Sequence, residues 1–375
     1  MKVLISPDKF KGSLTADEVC NAVESALLDY DQTIEVIKHP LADGGEGTLD
    51  ILDSTLDLKT VSVQVNDPLF RPITAEYKMD ESSAYIEMAA ASGLPILKEE
   101  ERNCLITTTY GTGELILDAI EEGATNIYLF VGGSATNDAG MGMAEALGYK
   151  LYDKDGKALR PIGLELSNLA AIDSSDLKYD PDEVNVFVVC DVKNPLYGEN
   201  GAAYIYGPQK GADQSAIELL DGGLRNFAKI AKSSFDKDVS KMEGAGAAGG
   251  IGGGAAVFLN AEIKPGIQTI LEITNYTSKL TGVDLIITGE GKLDIQTVHG
   301  KVIHGVDQVS RESGIPYSII CGIAEDLDVI HEEIAATEIL QIKTDEVSLD
   351  SAINDAASHV HRLASGLIER FMKAG

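Results

Sequence analysis

The stretch DLIITGEGKLDIQT, from Asp284 to Thr297, decides how the chain is organised. Its apolar run predicts a buried strand, and the glycines that follow predict a tight loop directly after that strand. The later runs PYSIIC and TEILQI predict two more strands, each separated from the last by a helical segment. The loop after the first of these strands would carry three ionisable side chains, Glu290, Lys292 and Asp294.

The N-terminal part of the chain has the same alternation. KVLIS and TIEVIKHPLAD predict strands, and LTADEVCNAVESALLDY and GEGTLDILDSTL predict helices. Thr15 is the expected N-cap of the first helix, with Glu18 completing a capping box. Strands that alternate with helices favour a parallel sheet with crossover connections.

The middle of the chain has a different pattern. KTVSVQVNDPLFRPITAEYKM predicts an antiparallel hairpin, whereas NIYLFVGG and VNVFVVCDV predict buried strands. The expected fold class is therefore α/β, with a doubly wound parallel-sheet domain built from residues 1–65 and 282–375 and an inserted mixed α/β domain over residues 66–281. Ligands bind at the carboxyl ends of the strands in open α/β sheets, so a site is expected in a cleft beside the insertion.

The composition excludes several classes of partner. Sixty acidic residues against thirty basic ones give a formal net charge of −30, and such a surface repels nucleic acid and anionic membranes. The four cysteines form no CxxC pair, and no segment has the length of a signal peptide core or a membrane span. These features predict a cytoplasmic protein that binds small molecules, and they leave a homo-oligomer open.

Three strand exits in the outer domain carry ionisable residues. They lie in SPDKFKGS, in PLADGGEGT and in the opening stretch. Because parallel strands end at one edge of a sheet, these exits are expected to converge. The residues concerned are Asp8, Lys9, Asp43, Glu46, Glu290, Lys292 and Asp294.

Glycine-rich segments accompany these exits. Turns of this kind expose backbone N–H groups that can hold phosphate. Together with carboxylates for Mg²⁺ and a lysine for phosphate charge, they favour phosphoryl transfer. The chain has neither a P-loop motif nor the protein-kinase motifs, so both of those classes are excluded. The candidate nucleotide or phosphate residues are Gly132, Gly133, Ser134, Asn137, Gly249, Gly250, Gly289 and Gly291.

Each candidate also has a purely structural interpretation. Asp43 and Glu46 are typical of a helix N-terminus, and Lys292 with Asp294 is typical of an exposed ion pair. The glycine pair of VGGSATND could be a tight turn, and its Asn-Asp pair a helix cap. Arg71 could bind a carboxylate through two hydrogen bonds or lie on the surface of the hairpin.

Several long segments together resemble one family. They are SPDKFKGSLTA, PLADGGEGT, TTTYGTGELI, GGSATNDAGMGMAEALG, CDVKNPLYGENGAA, GPQKGA, GAGAAGGIGGG and TGEGKLDIQTVHGK. In this order they are similar to the signature segments of bacterial glycerate kinases of the type-1 family. Ala139 stands where that family is expected to have glycine, Lys292 replaces a frequent arginine, and KVIHGV lacks an expected proline. None of these departures removes an ionisable group.

The resemblance implies phosphorylation of D-glycerate by ATP with Mg²⁺. The expected product is 2-phosphoglycerate, with 3-phosphoglycerate left open. It also implies a flavodoxin-like outer domain and an inserted domain of restriction-enzyme-like fold. Two alternatives remain at this point: a kinase acting on another small hydroxy acid, and a non-catalytic sensor of nucleotide or hydroxy acid.

The expected roles divide into three groups. The metal ligands would be Glu290, Asp294 and Glu46. The catalytic residues would be Asp191, Asp294, Lys292 and Asp43, with Asp191 and Asp43 competing for the part of base. The substrate carboxylate or the transferred phosphoryl group would be held by Lys9, Lys11 and Arg71, with Asp8 beside them.

Overall fold

The computed structural model describes residues 1–45, 47–295, 297 and 300–374. Its strands are β1 (Lys2–Ile5), β2 (Glu35–Lys38), β3 (Lys59–Asn66), β4 (Pro72–Met79), β5 (Ser83–Glu87), β6 (Asn126–Phe130), β7 (Lys150–Tyr152), β8 (Ala171–Asp173), β9 (Asn185–Val189), β10 (Glu262–Lys264), β11 (Leu285–Leu293), β12 (Tyr317–Ala324) and β13 (Glu338–Gln341).

The helices are distributed along the whole chain. The α-helices are α1 (Ala16–Tyr30), α2 (Thr48–Thr55), α3 (Ala89–Ser92), α4 (Tyr110–Glu121), α5 (Met141–Ala146), α6 (Ala202–Tyr206), α7 (Gln214–Phe235), α8 (Ala247–Phe258), α9 (Gly266–Ile273), α10 (Val302–Ser313), α11 (Leu327–Glu333), α12 (Leu349–Asn354) and α13 (Ala356–Ala374). Short 3₁₀ helices span Leu94–Ile96, Glu99–Glu101, Gly163–Asn168, Pro208–Lys210 and Tyr276–Leu280. Within the described part of the chain, none of the helices is long and apolar enough to cross a membrane.

The chain divides into two compact units. The smaller unit contains Met1–Asp43, Asp50–Leu56 and Pro265–Gly375, and the larger unit contains Gly44–Leu49 and Asp57–Lys264. Both chain ends therefore contribute to the smaller unit. The domain boundaries drawn from the sequence, at 65/66 and 281/282, stay a prediction.

The smaller unit is built on a five-stranded parallel sheet in the order β13-β12-β11-β1-β2. Counted within this unit, the strand order is 2-1-3-4-5, the order of flavodoxin-like doubly wound sheets. Helices α1 and α13 contact each other, and both contribute buried apolar residues to one core with β1 and β11. The prediction of a parallel α/β fold is confirmed.

Helix α1 begins as its sequence predicts. Thr15 Oγ1 accepts a hydrogen bond from the Glu18 N–H at 3.2 Å, and Glu18 Oε2 accepts one from the Thr15 N–H at 2.8 Å. A cap of this kind is worth about 1 kcal/mol. At the other end of the chain, α12 ends before Asp355 and α13 begins after it.

Strand β11 differs from the prediction in one important respect. The glycines were expected to end the strand in a tight loop, but β11 continues to Leu293 and pairs with β12 up to Ala324. A Cβ atom on Gly289 would lie 2.1 Å from the Ile320 carbonyl oxygen, so glycine permits close contact between neighbouring strands. Because alternate residues of a strand share a face, Glu290 and Lys292 lie on the same side of the sheet.

The larger unit contains a six-stranded mixed sheet in the order β10-β9-β6-β5-β4-β3. Strands β3, β4 and β5 are antiparallel neighbours, as the hairpin pattern predicts, whereas β5, β6, β9 and β10 run parallel. Strands β7 and β8 form a separate antiparallel pair. The carboxyl ends of β5, β6 and β9 therefore lie along one edge of this sheet.

The glycine-rich stretch after residue 243 is mostly helix, not the exposed loop that its composition suggested. Residues Ala248, Gly249 and Gly250 have left-handed φ angles of 52°, 72° and 93°, and regular helix follows to Phe258. A Cβ atom on Gly254 would lie 2.0 Å from the Ala139 carbonyl oxygen. The glycines of this helix thus permit close backbone packing rather than exposing N–H groups.

Candidate active site

Four carboxylates of the smaller unit lie at the carboxyl ends of three adjacent strands, β2, β1 and β11. Together they form the acidic cluster, defined as Asp8, Asp43, Glu290 and Asp294. Asp8 follows β1, and its N–H donates to the Gly289 carbonyl at 2.8 Å. Asp43 follows β2, Glu290 lies within β11, and Asp294 comes directly after that strand. The structure therefore brings together the strand exits that parallel topology predicts.

Glu290 is the most deeply placed member of the acidic cluster. Glu290 is 6% exposed, and its Oε1 has no hydrogen-bond partner among the described residues. The pKa of Glu290 is raised to about 8, chiefly by burial and in part by the charges of Asp8 and Asp294, while a hydrogen bond from Thr297 and the charge of Lys301 act in the opposite direction. Near neutral pH this carboxyl group therefore holds its proton unless a cation replaces it.

Asp8 has a similar environment. Burial raises its pKa to about 7, with a further contribution from the charge of Asp43. The N–H of Lys9, which donates to Asp8 Oδ1 at 2.6 Å, and the charges of Lys9 and Lys301 act in the opposite direction. A carboxyl group with a pKa near neutrality can both accept and release a proton at physiological pH.

Lysines lie at the border of the acidic cluster. Lys292 Nζ is 2.8 Å from Glu325 Oε2 and 3.5 Å from Asp294 Oδ2, and its side chain is about half exposed. Lys301 immediately precedes α10, and Lys11 is exposed. Because Lys292 pairs with Glu325, its ammonium group lies at the exposed border of the acidic cluster and not among the buried carboxylates.

The acidic cluster fits a magnesium ion through few protein ligands. Among the described residues, no group of three or more acidic, histidine or cysteine side chains has the geometry of a metal site. Mg²⁺ commonly takes only one or two carboxylates, with water and phosphate completing its coordination. The unpartnered Oε1 of Glu290, with a neighbouring carboxylate, meets that need. Glu46, the third expected ligand, lies outside the described residues.

In the larger unit, an exposed turn follows β6. It contains Gly132 and Gly133, and Gly133 has a left-handed φ of +72°. This turn borders a cavity of about 90 Å³ at the carboxyl ends of β5 and β6. The cavity is lined by Gly45, Glu87, Ala89, Pro95, Phe130, Gly132 and Gly133.

The residues after this turn are buried. Asp138 caps helix ends as the structural interpretation proposed: it accepts hydrogen bonds from the N–H and the hydroxyl of Thr109 and from the N–H groups of Gly140 and Gly142. Burial nevertheless raises the pKa of Asp138. Asn137, in contrast, is fully buried, and neither polar atom of its amide has a partner in the described structure.

The other glycine candidates have packing roles. A Cβ atom on Gly249 would lie 2.0 Å from the Thr136 carbonyl oxygen, and one on Gly250 would lie 3.1 Å from Ala139 Cα. Gly289 and Gly291 belong to β11 and contact neighbouring backbone in the same way. Their assignment to nucleotide or phosphate binding stays a prediction.

Two further candidates belong to the larger unit. The guanidinium of Arg71 donates to Asp67 at 2.5 Å and to Glu101 at 2.6 Å, so this side chain is already bound by two carboxylates. Asp191 is exposed and lies two residues after the end of β9. The structure thus keeps Arg71 in the hairpin turn and places Asp191 at the carboxyl edge of the larger sheet.

Comparison with known proteins decides the family. A model of the glycerate kinase family matches residues 3–372. The chain belongs to the glycerate kinase family. It is 40% identical over 370 residues to proteins named glycerate kinase in Bacillus cereus and glycerate 2-kinase in Escherichia coli; each match covers 98% of this chain and 97% of the relative. It is therefore an enzyme, a kinase, and the sensor alternative is set aside.

A solved structure agrees with this placement. A crystal structure from Salmonella typhimurium LT2, which carries the designation glycerate kinase 2, superposes with a TM-score of 0.89 at 37% identity. The match covers 100% of this chain and 99% of the other. The resemblance seen in the sequence segments is thus confirmed at the level of family and fold.

The sequence alone did not identify several residues that surround the acidic cluster of this glycerate kinase. Thr297, Lys301 and Glu325 contact or influence the acidic cluster, yet none was singled out. The first two lie within the segment TGEGKLDIQTVHGK, so proximity in sequence was an available signal. Glu325 follows β12, and only the pairing of β11 with β12 brings it to Lys292.

Proposed function

We propose that this chain transfers the γ-phosphoryl group of ATP to D-glycerate and forms 2-phosphoglycerate in the cytoplasm. The acidic cluster at the carboxyl edge of the five-stranded sheet is the observation that supports the proposal most strongly. The names of the relatives, glycerate kinase and glycerate 2-kinase, support the choice of substrate and hydroxyl. Phosphoryl transfer needs positioned carboxylates and cations more than covalent chemistry by the protein.

Glu290 and Asp294 are proposed to hold Mg²⁺. When bound, the ion would neutralise charge that develops on the phosphoryl oxygens. The protein's own contribution is two carboxylates, one within β11 and one directly after it, positioned by the strand and by Thr297. Glu46 is retained as a third proposed ligand from the sequence pattern alone.

Asp8 is proposed as the base that accepts the proton of the attacking hydroxyl. Its position after β1 fixes the carboxyl group through the backbone bond to Gly289, and its pKa of about 7 suits proton transfer at neutral pH. In this assignment, the negative charge of Asp43 raises the pKa of Asp8. Asp43 itself and Asp191 remain the competing candidates for the base.

The cationic residues are proposed to offset substrate charge. Lys292 would face the transferred phosphoryl group, and Lys9 and Lys11 would hold the glycerate carboxylate. Arg71 joins this group only if substrate displaces Asp67 or Glu101 from its guanidinium.

A coupled assay of ADP release tests the proposal. Purified protein should release ADP with ATP, Mg²⁺ and D-glycerate, and release should stop when Mg²⁺ is removed with EDTA. L-glycerate and tartronate, run in parallel, test the choice of acid. ADP release that is independent of every acid, or no release at all, would contradict the proposed function.

Substitution of single carboxylates tests the assignment of roles. Asp294→Asn and Asp8→Asn, made separately, should each lower kcat if these groups act on the metal or the reacting atoms, by about 10²-fold or more for a direct role. Glu35→Gln is the matched control, since Glu35 is exposed, pairs with Lys2 and begins β2 at the opposite, amino end of the sheet. Near-full kcat in both asparagine variants would refute the assignment.

A further inference from the structure

Within the part of the chain that the structure describes, one lysine of the larger unit is buried without a carboxylate partner. Lys210 ends the 3₁₀ helix Pro208–Lys210 and is 1% exposed. Its Nζ donates to Ser134 Oγ and to the Thr136 carbonyl oxygen, both at 2.7 Å. Among the described residues it forms no salt bridge, although the chain has a net charge of −30. A buried cation with only neutral acceptors is costly unless an anion compensates it.

The segment that receives these hydrogen bonds also has unmatched polar atoms. Asn137 is fully buried, and its Oδ1 and Nδ2 both lack partners in the described structure. Thr136 Oγ1 is buried without a partner as well. Each such atom destabilises the fold while it stays unpaired. Neighbouring Asp138 differs, because four donors already bind its carboxylate.

The hydroxyl of Ser134 keeps a hydrogen-bond donor available beside Lys210. Ser134 Oγ accepts from the lysine, so its own O–H is left to donate, and no acceptor for it is found among the described residues. The exposed turn of Gly132 and Gly133 immediately precedes this serine. A hydroxyl polarised by a cation and an unpartnered amide N–H are the donors that bind oxyanions tightly.

We propose that Ser134 and Asn137, backed by Lys210, form an oxyanion-binding centre in the larger unit. The inference rests on the proposed function for its ligand, which is either a phosphate of the nucleotide or the carboxylate of the hydroxy acid. Ser134 and Asn137 touch the oxyanion, whereas Lys210 is a positioning residue that acts through the serine hydroxyl. Lys210 was absent from the residues expected from the sequence, although it lies in the segment GPQKGA.

Direct binding measurements test this centre. Isothermal titration calorimetry at pH 7.5 uses three probes: ADP, the non-hydrolysable analogue β,γ-imido-ATP, and D-glycerate. Lys210→Met and Ser134→Ala should each weaken at least one probe by about tenfold. Loss of ADP binding assigns the oxyanion to the α- or β-phosphate, loss of imido-ATP binding alone assigns it to the γ-phosphate, and loss of glycerate binding assigns it to the carboxylate.

Lys237→Met is the matched control. Lys237 is a half-buried lysine of the same unit that donates to a backbone carbonyl and to the side chain of Asn260. Its removal takes away the same charge at a place remote in sequence from Ser134. Affinities for all three probes should stay within about twofold of wild type. If Lys210→Met does not fold, Ser134→Ala still tests the centre, since it removes only a hydroxyl.

The pH dependence of binding separates this role from a structural one. Burial lowers the pKa of Lys210 to about 8, and the charges of Cys104 and Asp138, the titratable groups that act on it, oppose the change. Affinity should therefore fall by about tenfold or more between pH 7.5 and 9.5 in wild type and Lys237→Met, but not in Lys210→Met.

The outcomes separate the inference from the proposed function. If wild type phosphorylates glycerate and both variants bind every probe as wild type does, the oxyanion centre is refuted while the proposed function stands. If wild type has no glycerate kinase activity but a variant loses ADP binding, the centre stands with another acceptor. A wild type that binds none of the three probes overturns both.

Discussion

Replacement of Glu290 by glutamine should make the metal-free protein more stable, and increasingly so as pH rises. The carboxyl group is buried, its Oε1 has no hydrogen-bond partner among the described residues, and its pKa rises from 4.5 to about 8. A raised pKa means that the folded state holds a proton that the unfolded state has released. The stabilising effect of that proton is complete below about pH 4.5 and is lost as pH rises through about 8.

The magnitude follows from the pH interval. Each pH unit between the two pKa values changes the free energy of unfolding by about 1.4 kcal/mol. From pH 5 to pH 7.5, wild type should therefore lose about 3 kcal/mol relative to Glu290→Gln, whose neutral amide does not titrate. Urea denaturation followed by circular dichroism in EDTA measures this difference at both pH values.

Glu325→Gln serves as the control for this experiment. Its carboxylate is half exposed and paired with Lys292, so its loss should change the free energy of unfolding by less than about 1 kcal/mol at either pH. A Glu290→Gln variant that is less stable than wild type by the same amount at pH 5 and at pH 7.5 would refute the argument from burial.

Four other substitutions have defined outcomes. Asp43→Asn should lower the pKa on the acidic limb of the kcat/KM profile, since the charge of Asp43 raises the pKa of Asp8; an unmoved limb in that pH profile would exclude Asp8 as the base. His39, whose pKa burial lowers from 6.5 to about 4, should cost the folded state about 3 kcal/mol as pH falls through that range, and thermal melts of His39→Gln should lack this loss. Gly249→Ala should destabilise by more than about 2 kcal/mol, because φ is +72° and the new Cβ would meet a carbonyl oxygen. Gly222→Ala, in open space on α7, should instead stabilise by about 0.5–1 kcal/mol in the same urea titrations.

Much of the fold could be predicted because its local signals agree with its tertiary structure. Apolar runs between turn residues locate the parallel strands of the smaller unit, and the alternation around Asn66 locates the β3–β4 hairpin. Thr15 and Glu18 mark the start of α1 because capping is a local interaction. The convergence of strand exits at the acidic cluster followed from parallel topology alone.

Other features depend on contacts that a sequence does not display. Gly289 was expected in a loop because glycine is common in turns, yet the carbonyl of Ile320 on the neighbouring strand explains its presence in β11. The glycines of α8 were misjudged for the same reason. Lys210 was not predicted because lysine is seldom buried, and only the fold brings its ammonium group within hydrogen-bond distance of Ser134.

Phosphorus NMR of the reaction tests the central claim most directly. Purified protein is incubated with ATP, Mg²⁺ and D-glycerate, and the spectrum is followed as the ATP signals decline. A new phosphomonoester resonance that couples to one proton is predicted, because phosphate on the C2 hydroxyl has a single neighbouring hydrogen. A resonance coupled to two protons would show transfer to the C3 hydroxyl, and intact ATP would contradict the account as a whole.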